Sequence, residues 1–224
     1  MDPNLLFSAL VQLLLLWLAI SLHEWAHAWV ASLCGDPTAR ELGRVSLNPL
    51  RHLDPVGSLL FPTLLVLFGW PLYGWGRSTP VVEKNLRRPG RDDILVLAAG
   101  PAANLLVAMA ATVAVVVMIQ ALGAEGREAA FQALFPPTGA AKARSFPVMF
   151  TLMRLAFINV GLVVFNLIPL PPLDGGQIVL HLLPPDWAAR LAAVRPYGFM
   201  IGVLAAVGLV PLLTFIVGMV INFS

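Results

Sequence analysis

Five consecutive residues carry the densest chemistry in the chain: His23-Glu24-Trp25-Ala26-His27. Four positions separate the histidines, so on a helix both imidazoles leave one face, a single turn apart. Two such nitrogens suit two corners of a tetrahedral zinc, whose catalytic form keeps one position open. Glu24 lies about 100° further round at 3.6 residues per turn. There it can approach the open position without ligating, as a general base does. The bland alternative is a structural polar cluster. The setting argues against it, because residues 3–22 before the motif hold no Asp, Glu, Lys or Arg. An ionisable group at bilayer depth costs about 2.5–3.5 kcal/mol on insertion scales and by default marks a functional site.

A zinc with an open position takes a third protein ligand. The remaining histidines are His52 and His181, and the single cysteine, Cys34, excludes a Cys-rich site. One further segment stands out, from Asn166 through Asp174 to Gly175-Gly176. Pro169, Pro171 and Pro172 forbid a continued helix, so an extended run is expected to present Asp174. Gly175 and Gly176 are then expected to let the backbone turn tightly beside it. Alone, the segment reads equally as a helix end with a polar loop. Paired with the histidine motif, Asp174 is the best third ligand.

The elements that must position these groups follow from composition. The 224 residues are 58% hydrophobic and 12% charged, where a soluble domain averages about 25% charged. That excludes a disordered chain and points to an all-α polytopic membrane protein. The net charge of +2 is too small to suggest nucleic acid. The N-terminus lacks the basic region of a cleavable signal. Long uncharged stretches and helix length predict about four spanning helices, at 4–33, 94–122, 147–168 and 197–221. A fifth uncharged stretch, 55–76, is broken by Pro55, Gly57, Pro62, Gly69, Pro71, Gly74 and Gly76. Segments 34–54, 77–93, 123–146 and 169–196 read as connecting loops, with a short interfacial helix near 37–43. None holds a separate soluble domain, so 1–224 reads as a single membrane-embedded domain.

The chain resembles the site-2 protease family of intramembrane zinc metalloproteases. His23–His27 resembles its zinc helix, Gly100-Pro101-Ala102-Ala103-Asn104 its G-x-x-x-N motif, and Asn166–Gly176 its N-x-P-x-D-G motif. The resemblance implies one zinc ion on His23, His27 and Asp174, and Glu24 as catalytic base. It implies Asn166 as a hydrogen-bonding group near the zinc. The third block is more proline-rich than usual, which is expected to stiffen the loop. Many relatives carry a PDZ module, for which this chain has no room. The implied substrate is a transmembrane-helix protein within the lipid bilayer. The competing reading is a catalytically inactive scaffold or a metal-handling membrane protein.

Topology follows from the ligands. His23 and His27 lie near the C-terminal end of the first span, and Asp174 follows the C-terminal end of 147–168. Those spans must run the same way, which requires 55–76 to be re-entrant rather than crossing. Most basic residues, from Arg40 to Arg91 with Arg190 and Arg195, then fall on one side. The positive-inside rule makes that side cytoplasmic, so the expected setting is a multi-pass cell-membrane protein with its active site towards the cytoplasm. His52 reads as a loop histidine paired with Asp54, and His181 as an interfacial one. Gly100 and Asn104 read first as helix packing, with active-site contact by Asn104 the alternative.

Overall fold

The computed structural model describes residues 3–67, 72–134, 147–198 and 200–204. Three long helices dominate them: α1 (Pro3–Cys34), α4 (Arg91–Leu122) and α6 (Pro147–Asn166). All three are long and apolar enough to cross a membrane. The fourth expected span is helical over 200–204, and from 205 on it lies outside the described residues. Between the long helices come α2 (Thr38–Glu41), α3 (Phe61–Leu67) and α5 (Ala124–Leu134). After α6 come α7 (Asp174–Leu182) and α8 (Pro185–Ala192).

Where both faces of a helix are apolar, size and polarity decide which face packs. On α4 the buried residues Val96, Gly100, Asn104, Ala108, Ala111 and Val115 recur every three or four positions and are mostly small or polar. Leu106, Val113 and Val117 remain exposed. Small residues let helix backbones approach closely in a membrane, where oil against oil gives no preference. α4 therefore packs against both α1 and α6. Leu15, Leu16, Ala19 and Ile20 of α1 close the core against Ile158 and Leu162 of α6. α4 starts three residues earlier than expected, since Asp92 and Asp93 in its first turn suit the positive helix end.

The 55–76 stretch leaves and returns at one place. Leu53 and Gly76 form an antiparallel bridge. Arg77 N–H donates to His52 O at 2.7 Å, and Trp75 N–H to Gly57 O at 3.1 Å. A π-helical turn, Pro55–Leu60, begins the excursion under an Asp54 cap and leads into α3. Residues 68–71 lie outside the described ones, and an extended strap then runs from 72 to 82. The chain thus doubles back, as the ligand positions require.

Two expectations need correction. Segments 123–146 and 169–196 are not plain loops, since they carry α5, α7 and α8. α5 forms because Ala129 and Ala130 bury against Val115 and Met149 while its charges face away. The interfacial helix near 37–43 is shorter than expected, only Thr38–Glu41.

The strap is clasped to the end of α1 by Asp36, which is fully buried. Its Oδ2 accepts Val82 N–H at 2.7 Å, and its Oδ1 accepts Asn85 Nδ2 and Thr38 N–H, each at 3.0 Å. Burial pushes this carboxyl up, but the bonds from Thr38, Val82 and Asn85 outweigh it and hold the group below its ordinary value. Removing the carboxylate strands buried donors, at about 1–3 kcal/mol. Asp36→Ala is expected to lower the thermal midpoint in detergent, by about 2–4 °C for each kcal/mol lost. Because the folded value is depressed, the gap between wild type and variant should be full at neutral pH. It should close as pH falls below about 3.9, the ordinary Asp value. Melting curves from pH 7 to pH 3 check both.

Candidate metal centre

The candidate centre is built where α1, α4 and the start of α7 meet. His23 and His27 project from one face of α1, their rings 4.6 Å apart between centroids. Both are buried. Each ring is held through Nδ1. His27 Nδ1 lies 2.7 Å from the carbonyl of Val96, and His23 Nδ1 lies 2.6 Å from Asn104 Oδ1. Both partners are acceptors, so both Nδ1 atoms donate, which leaves the Nε2 atoms as the ones able to ligate a metal. Those atoms converge, with Nε2 to Nε2 at 3.0 Å. Asp174 Oδ2 lies 3.1 Å from His23 Nε2 and 3.4 Å from His27 Nε2. It is buried and accepts no hydrogen bond.

This arrangement fits a metal ion. A tetrahedral zinc with bonds of about 2.0–2.1 Å sets its donors about 3.3 Å apart. The three donor separations are 3.0, 3.1 and 3.4 Å. Three potential donor atoms held this close in a buried setting suit a cation among them. Among the described residues, these three form the one group of His, Cys, Asp or Glu able to hold a metal.

The G-x-x-x-N segment explains why the site can form. A Cβ on Gly100 would lie 2.4 Å from His27 Nε2 and 2.7 Å from His23 Nε2. Any side chain there would fill the space between the imidazoles and α4. One turn later, Asn104 is fully buried and fully paired. Its Nδ2 donates to Ala19 O at 3.2 Å and to Asn159 Oδ1 at 2.7 Å, leaving Oδ1 for His23. Asn159 in turn donates to Leu155 O at 2.8 Å. Asn104 therefore does more than pack, and Asn159 is a partner that motif reading missed. A buried asparagine in an apolar span was the available signal.

Asp174 is positioned differently from the expectation. Residues 167–173 are not extended. They fold in tight turns, with Leu170 N–H to Ile168 O at 2.7 Å and Leu173 N–H to Leu170 O at 3.0 Å. Gly175 and Gly176 make no turn and belong to the first helical turn of α7. Their role is close approach. A Cβ on Gly175 would sit 2.4 Å from Leu167 O, and one on Gly176 2.1 Å from Leu170 C. Seated on that backbone, α7 delivers Asp174 to the histidines.

Glu24 and Asn166 line the same cavity of about 420 Å³ as the three donor residues. Glu24 Oε2 accepts Thr79 N–H at 2.7 Å and lies 2.8 Å from Thr79 Oγ1. Thr79 was not identified from sequence, because only the returning strap brings it to α1. Asn166 Nδ2 donates to Leu162 O at 2.9 Å, and the side chain makes no hydrogen bond to His23, His27 or Asp174. The strap contributes Gly74 and Gly76 to the cavity wall. They are out of phase with Trp75 and Arg77, whose N–H groups bond to the 52–57 segment.

The other histidines lie away from the donors. His52 is fully buried, with Nε2 2.6 Å from Ser46 O. It does not pair with Asp54, whose carboxylate is spent capping Val56 and Gly57 N–H. His181 Nε2 lies 3.5 Å from Asp93 Oδ2.

A family model described as peptidase family M50 matches residues 67–209. YwhC of Bacillus subtilis, named as a candidate zinc metalloprotease, is 38% identical over 183 residues, covering 82% of this chain and 74% of its own length. Rip2 of Mycolicibacterium smegmatis, named likewise, is 31% identical over 190 residues, covering 84% of this chain and 63% of its own. Rip2 of Mycobacterium tuberculosis is 28% identical over 185 residues, covering 82% and 62%. This chain thus spans less than two thirds of the Rip2 proteins. No solved structure matches significantly.

Gly100→Ala is expected to block the space between the imidazoles and abolish zinc retention. Asn104→Leu, which frees the His23 ring, is expected to weaken zinc about 10–100-fold, the usual cost of losing such a partner. Zinc content after competition with a graded chelator measures both.

Proposed function

Because the chain belongs to peptidase family M50, the site-2 protease family, we propose that it is an intramembrane zinc metalloprotease. It hydrolyses peptide bonds within or near transmembrane segments of other membrane proteins. The observation that carries this reading is the convergence of three donor atoms, His23 Nε2, His27 Nε2 and Asp174 Oδ2, in one cavity with Glu24. These residues hold a single zinc ion. A zinc held there would supply an acidified water, with a pKa of about 7, and a Lewis acid for the scissile carbonyl.

The remaining chemistry falls to the chain's own groups. Glu24 takes the proton of the attacking water and later delivers it to the leaving amide nitrogen. Its bonds fall on Oε2, from Thr79 N–H and Oγ1, which fixes the carboxylate for both transfers. Asn166, in the cavity wall, offers its amide to the substrate backbone or to the developing oxyanion.

The substrate's own helix shields its peptide bonds, so it must unwind to reach the donors. An unwound segment needs partners for its freed backbone groups. Gly74 and Gly76 of the strap, which line the cavity without side chains, offer an edge for such pairing. The membrane-embedded unit is 1–224, with the site towards the cytoplasmic side. The basic residues of 34–54, 77–93 and 169–196 support that orientation.

Co-expression with a candidate membrane substrate tests the proposal. Glu24→Gln is expected to lower cleavage by about 10²–10⁴-fold, the range for a general base, while leaving zinc content at the wild-type level. Undiminished cleavage by Glu24→Gln overturns the assignment, and absence of any cleavage dependent on Glu24 favours a scaffold.

A further inference from the structure

α7 brings one donor, Asp174, to the centre, and Asp174 is its first residue. The far end of the same helix makes a second polar contact. His181 Nε2 lies 3.5 Å from Asp93 Oδ2, with the side chains 27% and 14% exposed. Asp174 and His181 are seven positions apart, two turns on one face and about 10.5 Å along the axis. Asp93 and Gly100 stand seven positions apart on α4 in the same way. Gly100 lies against the imidazoles that Asp174 meets, and α4 and α7 pack together. The two helices therefore run antiparallel in matched register, 174 opposite 100 and 181 opposite 93. Gln177, midway along the α7 face, lines the cavity together with Asp93.

This register gives the Asp93–His181 contact a consequence. Near Asp174, α7 rests on backbone through Gly175 and Gly176, a smooth seat that holds distance more firmly than direction. A site of this kind needs its groups within about 0.5 Å and 10–20° of the working geometry. A swing of α7 about the glycine seat turns the Asp174 carboxylate through the same angle. A contact two turns away has the longest lever against that swing. We propose that Asp93 and His181 form a positioning clamp that aims Asp174 at the two imidazoles. Neither residue is one of the three metal donors, and His181 is not among the residues lining the cavity. The Nε2–Oδ2 separation of 3.5 Å is ion-pair range rather than a close hydrogen bond, so the clamp needs on α7 a polar N–H group that can face the α4 carboxylate. The inference rests on the metal reading above.

The test is zinc affinity of the full-length protein in detergent, read by competition with a graded zinc chelator. His181→Ala and Asp93→Ala are each expected to weaken zinc about 3–30-fold, the range for residues coupled to a site they do not contact. The double variant should weaken it no further than either single one, because the two act as a unit. His181→Gln retains an N–H donor and should recover most of the loss, which a merely space-filling role would not produce. Wild-type zinc affinity in both alanine variants overturns the clamp. So do additive losses, or failure of His181→Gln to recover where His181→Ala is impaired. The outcome is separable from failure of the metal reading, in which wild type itself would bind no zinc and His23→Ala would change nothing.

Discussion

Two imidazole nitrogens and one carboxylate oxygen, all electron-rich, are held 3.0–3.4 Å apart away from bulk water. Each imidazole spends its proton on an acceptor behind it, Val96 O or Asn104 Oδ1. With both Nε2 atoms unprotonated, the three are a ready set of donors for a cation. Much of the rest of the chain can be understood as holding this convergence in place. α1 must carry the histidines at helical spacing, α4 must come close without a side chain at Gly100, and α7 must start at Asp174.

The glycines and asparagines divide that work. Gly100, Gly175 and Gly176 each remove a Cβ that would stand under 3 Å from a neighbouring atom, so they set distances. Asn104 and Asn159 set orientations, running a bond chain from His23 across α4 to α6. Buried polar residues in an apolar core are costly unless fully satisfied, and Asn104 is. The strap does similar work on the other side. It doubles back through 55–76, meets Glu24 through Thr79 and is locked to the end of α1 by Asp36. The general-base candidate and the candidate ligands are thereby held by separate elements around one cavity.

What could be read in the sequence was local or forced by chemistry. The four-residue spacing of His23 and His27 needs only a helix, and three of the spans are visible as uncharged stretches. The re-entrant path of 55–76 followed from requiring Asp174 to reach the histidines. Contacts that depend on chain return were not visible. Thr79 stands 55 positions from Glu24, and nothing in its neighbourhood marks it. Nearness in sequence suggests Asp54 as the partner of His52, but that carboxylate caps the π-helical turn. The prolines and charges of 169–196 dominate its sequence and suggest a loop. Yet those prolines confine the turns to 167–173, and α7 and α8 form after them. Gly175 and Gly176 were given the usual glycine role in a turn, whereas here they serve close packing.

The central claim is that His23, His27 and Asp174 hold one zinc with a position left open. Zinc K-edge X-ray absorption on the purified protein tests it most directly. The account expects four light-atom neighbours at about 2.0–2.1 Å, with the multiple-scattering signature of two imidazoles and one neighbour replaced or lost in Asp174→Ala. A sulfur neighbour, a count of imidazoles other than two, or a first shell unchanged in Asp174→Ala would contradict it.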